Sequence, residues 1–316
     1  MAENLLLPKR LARRLPWLRR AGQRVEAGAL RALVYILRAL PVRAAFALAR
    51  ATLRVLGPLT PMWDKVRRNH RIAFAGLDAA ALRRLRRETF AALGSAIAEL
   101  VLAPRLWEER EARFEWSADP SIEALRSRER PMVLVTGHVG AWQLTNLVAA
   151  HWGFPLSSLY AAESNPALAE LALELRNGLL CTWLPSTGGI RALLQELHNG
   201  HSVGLACDTR LDQGDAVPFF GQEVMSNSVP ARLALKQGCE LVPVRAIRLP
   251  GQCFRIHMDT PIRPTDPGAP QTEQAREMTA QLMRRFEGWV RETPAEWMCL
   301  ARRFSKELDK AAAARG

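Results

Sequence analysis

No two cysteines in the 316 residues are spaced as CxxC, and their total of five is odd. Cys181, Cys207, Cys239, Cys253 and Cys299 are scattered, which speaks against a disulfide framework or a thiolate metal site and fits a reducing compartment. The start, MAENLLLPKRLARRLPWLRR, reaches its charges before any apolar region of signal-peptide length, so no cleaved export signal is expected. Internal repeats and low-complexity linkers are missing too. Acidic residues are scarce at one end: the first 71 positions hold only Glu3, Glu26 and Asp64, against 16 Lys and Arg.

That scarcity accounts for the whole net charge of +13, because the remainder is balanced at 28 basic against 28 acidic residues. Such asymmetry calls for an anionic partner, either nucleic acid or anionic lipid, or else for a solvated basic arm. The basic residues alternate with Leu and Ala rather than with stacking aromatics, and no helix-turn-helix, zinc or RNP pattern occurs, so no nucleic-acid partner is expected. An anionic membrane surface is the partner that remains. Hydrophobic content of 48% and charged content of 24% are ordinary for a globular chain of a length that buries a substantial core.

Residues 28–57 are rich in Leu, Ala and Val, but Arg31, Arg38, Arg43, Arg50 and Arg54 interrupt them. No uncharged run there reaches the roughly 18 residues of a spanning helix. Arg24, Arg31 and Arg38 recur every seven residues and Pro41 can open a second helix, which predicts two amphipathic helices. They can lie in a membrane interface with arginines reaching lipid phosphates, or pack on the protein's own core. Residues 78–104 have helical periodicity, an Asp78 cap and Pro104 as a stop.

An alternating pattern comes next. Short apolar strands are predicted at 131–137, 156–161, 202–208, 239–247 and 253–259, with helical stretches between them and a closing helix over 271–294. The expected fold is therefore α/β: a mostly parallel central sheet flanked by helices on both faces, with N-terminal amphipathic membrane-associating helices. The expected division is a basic segment over 1–71, an α/β domain over 72–306 and a disordered tail over 307–316.

In VTGHVGAWQL, residues 135–144, His138 falls at a strand-to-helix junction, where side chains of an open α/β sheet project into a crevice. A histidine capping the helix is the plainer reading. Gly137 and Gly140 leave room for a substrate near the backbone. Asp208 ends the strand SVGLACD and begins the loop DTRLDQGDAVPFFG, which also carries Arg210. Both His138 and Asp208 then belong to one edge of the sheet, unless Asp208 and Arg210 form an ordinary loop salt bridge.

Seven motifs in order, RRNHRIAF, TGHVGAWQL, ESNPAL, WLPSTGGIRALLQEL, DTRLDQGDAVPFFG, ARLALKQGCELVPV and PAEWMCLARRF, make residues 29–305 resemble the lipid A biosynthesis acyltransferases, with phosphatidylinositol mannoside acyltransferases as relatives. The resemblance implies acyl transfer from a thioester on acyl carrier protein or coenzyme A to a hydroxyl of a glycolipid acceptor, on the cytoplasmic face of the inner membrane. It implies His138 as general base and no cofactor, metal or covalent intermediate. Gly137, Gly140, Asn165, Arg176, Asp208 and Arg210 are the implied substrate-binding residues, with the two glycine amides and either Arg176 or Arg210 as oxyanion donors. The family's motif carries Glu or Asp where this chain has Gln143. An amide there can accept the His138 Nδ1 proton within about 3.2 Å but cannot stabilise the imidazolium, so an impaired enzyme or a non-catalytic lipid-binding homologue is expected. Ala161 and Ala301 depart from the pattern as well.

Overall fold

The computed structural model describes residues 16–122, 130–161, 163 and 165–314. The first fifteen residues, which carry part of the basic segment, and residues 315–316 of the tail lie outside the described residues. The strands are β1 (Phe114–Ala118), β2 (Met132–Thr136), β3 (Leu156–Tyr160), β4 (Thr182–Pro185), β5 (Ser202–Ala206), β6 (Asp215–Phe219), β7 (Gln222–Ser226), β8 (Glu240–Leu249) and β9 (Cys253–Met258). Seven form one sheet in the order β1-β9-β8-β2-β5-β3-β4, while β6 and β7 make a separate hairpin. Every pairing in the large sheet is parallel except β8 with β9.

Strand β2 is buried at every position because both of its faces are covered. Met132 and Leu134 belong to one apolar core and Val133 and Val135 to another, the two-residue period of a strand dividing its side chains between the faces of the sheet. The expected mostly parallel sheet with helices on both faces is what forms.

The helices are α1 (Pro16–Ala39), α2 (Val42–Leu56), α3 (Met62–Ala73), α4 (Ala79–Glu108), α5 (Arg110–Arg113), α6 (Leu147–Trp152), α7 (Ala169–Asn177), α8 (Gly189–His198), α9 (Val229–Gln237), α10 (Gln271–Glu292) and α11 (Lys306–Ala314). Asp78 caps α4 by accepting from the Ala81 amide at 2.7 Å. Pro104 does not stop this helix, which runs on to Glu108 with Leu106 fully buried. Pro104 gives up one hydrogen bond and crowds the preceding turn, and burial of the residues around it holds the last turn in place. By length and composition α4 could cross a membrane, but most of its apolar stretch is buried inside the fold.

Helices α1 and α2 join the same core through Ala27, Val34, Leu37, Val42, Ala45, Phe46 and Ala49. A Cβ on Gly94 of α4 would lie 2.3 Å from the Ala49 carbonyl oxygen, so the α2–α4 crossing requires glycine there. Two of the three arginines in the seven-residue stripe serve this packing: Arg38 pairs with Glu174 at 2.9 Å and Arg31 donates to the Ala167 carbonyl at 3.3 Å. Both guanidiniums therefore have a partner within the protein while remaining exposed. Helix α3 continues through position 71 without a break.

Strands β4, β6 and β7 carry no clear period in the sequence, while β1 alternates Phe114, Trp116 and Ala118 with Glu115 and Ser117 yet is not among the expected strands. β1 and β4 lie at the edges of the sheet, and Pro218 within β6 disguises a hairpin in what reads as a loop. Its turn places Phe220 and Gly221 at φ +52° and +67°. The tail over 306–314 is helix α11 rather than disordered chain, because Arg71 donates to Asp309 Oδ1 at 2.7 Å and Leu308 packs against the core.

The C-terminal strand-like segment is clamped by α3. Asn69 donates to the carbonyls of Cys299 and Ala301 at 2.9 and 2.7 Å and accepts from the Arg303 amide at 3.0 Å. Beside it, His70 is fully buried, stacked against Trp297 and edge-on to Phe74, with neither ring nitrogen hydrogen-bonded among the described residues. Burial, aided by the charge of Arg86, holds its pKa down to about 3 from 6.5. As pH falls below 6.5 the unfolded chain takes up this proton and the folded one does not until about pH 3, so acid favours unfolding across that window. His70→Leu should therefore lose less stability than wild type between pH 7 and pH 5, by roughly 2 kcal/mol in urea melts. Equal acid dependence of the two proteins would contradict a neutral buried His70.

Candidate active site

Strands β2 and β5 are neighbours and parallel, with Thr136 opposite Ala206 at their carboxyl ends. Chain leaving the two strands therefore emerges side by side, and His138 and Asp208, each two residues past its strand, meet although 70 positions separate them. His138 Nδ1 lies 2.5 Å from Asp208 Oδ1. Asp208 also accepts, at Oδ2, from Trp297 Nε1 at 3.2 Å. Two ring donors thus hold a carboxylate that is only 4% exposed.

The segment after α10 secures the histidine from the other side. Met298 N donates to His138 O at 2.8 Å, and Val139 bridges to Trp297. Burial by itself would depress the imidazolium of His138, but the charge and hydrogen bond of Asp208 outweigh it and raise the pKa above the ordinary 6.5. Burial likewise opposes the Asp208 charge, and the adjoining His138 with help from Arg303 lowers its pKa all the same. With Nδ1–H given to Asp208, Nε2 is the nitrogen free to take a proton.

His138 opens onto a cavity of about 330 Å³ whose wall is apolar along α4, through Leu93, Ala96, Ile97 and Leu100. Gln143 and Thr209 are its other polar neighbours. One face of α4 thus lines the cavity while the rest of the helix is built into the core, which fixes the wall relative to the histidine.

Gln143 is not the partner of His138 Nδ1. That nitrogen is occupied by Asp208, and Gln143 Oε1 is buried without a hydrogen bond among the described residues although the side chain lines the same cavity. The family's motif suggested position 143; the parallel strand ends instead deliver a carboxylate from 208. Gly140 sits at φ +67°, and a Cβ there would lie 2.4 Å from the Ala246 carbonyl oxygen, so the position needs glycine for the turn. Its amide donates to Glu296 O at 3.2 Å and is not free for an oxyanion. Gly137 lies beside the Asp208 side chain without steric need for glycine.

The remaining candidates have other partners. Arg210 pairs with Asp212 at 2.5 Å, so the loop salt bridge exists but excludes Asp208. Arg176 binds Glu163 Oε1 at 2.6 Å and lies over the Tyr160 ring. Asn165 caps the short turn Pro166–Leu168 and donates to Gln23 O at 2.9 Å, tying that turn to α1. None of these three lines the cavity at His138. Sequence reasoning missed Trp297, Asn69 and Arg303, whose roles depend on contacts between distant segments. Arg303 is buried, donating to Met225 O and Ser226 Oγ at 2.9 and 2.7 Å, and lies over the Phe219 ring.

The sequence profile of the bacterial lipid A biosynthesis acyltransferases matches residues 19–306. Over 185 residues the chain is 26% identical to the phosphatidylinositol mannoside acyltransferase of Mycolicibacterium smegmatis. That alignment spans 57% of this chain and 58% of the relative, a little over half the length of each.

The electrostatics of the pair set its titration. In an NMR titration the His138 ring should lose its proton above pH 6.5 in the wild type. In Asp208→Asn, where burial remains and the opposing charge is gone, it should do so at lower pH. An unchanged midpoint would mean that Asp208 does not control the imidazole.

Proposed function

The chain belongs to the bacterial lipid A biosynthesis acyltransferase family, and we propose that it moves a fatty acyl chain from a thioester to a hydroxyl of a glycolipid with His138 as general base. The donor is an acyl carrier protein or coenzyme A thioester and the acceptor a lipid of the lipid A or mannolipid kind. The observation that carries this reading is the His138–Asp208 pair beside an apolar cavity.

Nε2 of His138 takes the proton of the acceptor hydroxyl as its oxygen attacks the thioester carbonyl carbon. The carbonyl π pair moves onto oxygen, giving a tetrahedral intermediate. Its collapse re-forms the carbonyl and breaks the C–S bond, and the leaving thiolate takes the proton back from Nε2. Asp208 keeps Nδ1 protonated and Nε2 basic, and its charge offsets the imidazolium that forms during attack. A neutral Gln143 is compatible with turnover on this account, since the required carboxylate is supplied from β5.

A glycolipid acceptor requires access from a membrane. Helices α1 and α2, with the turn after them, expose Trp17, Val25, Tyr35, Ile36, Val55, Leu56 and Leu59 among basic residues, which suits attachment to an anionic leaflet on the cytoplasmic side. Vesicles containing anionic lipid should sediment more of the protein than neutral ones, and salt should reduce the difference. Equal binding to both would remove the electrostatic part of this attachment.

His138→Ala and Asp208→Asn should each lower kcat by about 10²–10⁴-fold with acyl thioester and glycolipid acceptor. Gln143→Glu should bring no such gain, because it would add a second carboxylate to a site that already has one. A large rise in turnover in Gln143→Glu, or full activity in Asp208→Asn, would transfer the carboxylate's role back to position 143.

A further inference from the structure

Beside the cavity at His138 lies a second, smaller one of about 60 Å³, over Gly204 and Ala206 of β5 and walled by Leu134, Leu156, Trp183 and Val244. It exists because β5 presents almost no side chain on that face. Its polar neighbours are satisfied among themselves. Thr145 Oγ1 donates to Trp142 O at 2.7 Å, Asn146 Nδ2 to Gln143 O at 2.9 Å and Ser158 Oγ to Asn146 Oδ1 at 2.6 Å. Thr136, Thr145, Asn146 and Ser158 line it beside the apolar walls, and with their bonds made within the protein they leave room for hydrocarbon against Leu134, Leu156, Trp183 and Val244.

Trp142 lines both cavities, and its ring centroid stands 4.5 Å from that of His138, tilted by 59°. The short helical turn Trp142–Asn146 that carries it continues directly from the loop of the histidine. One indole therefore forms the partition between the space next to the reacting group and the space deeper in the fold. An apolar cavity of about 150 Å³ holds a benzene, so the 330 Å³ beside His138 admits a longer stretch of hydrocarbon, with the indole as part of its wall.

We propose that Trp142 is a specificity-determining residue that limits acyl-chain length by closing the cavity at His138 from the inner cavity over Gly204 and Ala206. The proposal rests on the acyl-transfer reading for its substrate. Removing the indole joins the two spaces and adds the volume of the ring itself. Each further methylene buried is worth about fourfold in binding, so a chain extended by about two methylenes gains roughly fifteenfold.

The test is a kcat/KM series with saturated acyl-CoA thioesters of increasing even chain length on the full chain, together with binding of the corresponding free fatty acids. Trp142→Ala should raise the ratio of long-chain to short-chain kcat/KM by roughly fifteenfold. Trp142→Phe should raise it less, and adding Ala206→Leu to Trp142→Ala should refill the inner cavity and return the ratio toward wild type. Using the ratio removes any uniform loss caused by disturbing His138. An unchanged ratio in Trp142→Ala, or in Trp142→Phe should the alanine variant not fold, overturns the proposal, as does an equal fall at every length. If wild type transfers none of the chains but the fatty-acid length limit still moves with position 142, the transfer reading fails and the partition stands.

Discussion

Asp208 is a carboxylate taken almost wholly out of water, and the site is organised by the need to satisfy it. A buried charge of this kind persists only with donors on its oxygens and a cation nearby. The His138 ring and the Trp297 indole supply the donors, and Arg303 lies close enough to add positive potential. Each then needs support of its own: Asn69 of α3 fixes the Arg303 backbone, His70 stacks on Trp297, and the Met298 amide holds the His138 carbonyl. Segments from the N-terminal helices, the sheet and the C-terminus converge on one carboxylate.

A second buried cluster ties the cavity wall to the same centre. Glu99, in the middle of α4, receives a two-pronged contact from Arg248 of β8 at 2.5 and 3.0 Å, and Arg248 also reaches Glu296 at 3.3 Å. The backbone carbonyl of Glu296 accepts from the Gly140 amide, two residues from His138. Replacing such a cluster by hydrocarbon is often neutral or stabilising, while removing one member costs about 3–5 kcal/mol. Its consequence here is positional: α4 supplies the apolar wall, Glu296 supports the turn beside the base, and Arg248 holds the two in a fixed relation.

The N-terminal helices show how one stretch can serve two environments. Their buried stripe, with Val34, Leu37, Phe46 and Ala49, completes a core, and Arg31 and Arg38 anchor α1 to the loop and helix around α7. The opposite side leaves large apolar side chains in solvent, Tyr35 at 71% and Val55 at 69% exposed. Packing on the protein and contact with an interface are therefore alternatives for individual side chains rather than for whole helices.

Much of this was legible in the residues alone. The apolar strands, the alternation with helices and the capped helix beginning after Asp78 are local or periodic signals, and they placed His138 and Asp208 at one edge of a mostly parallel sheet. The rim strand β4 and the β6–β7 hairpin were not legible, because an exposed edge and Pro218 leave no two-residue period, and the alternation of β1 at the other rim is only five residues long. Nor could spacing reveal which side chain meets His138 Nδ1. Gln143 is near in sequence, yet the register of β2 against β5 brings Asp208 instead, and Asn165, Arg176 and Arg210 satisfy neighbours of their own. Residue types and their periodicity were enough to say which groups could do chemistry and on which layer of the fold they sit. Which of them share a proton was left to the folded chain, since hydrogen bonds act over about 3 Å and only the packing of distant segments sets distances that short.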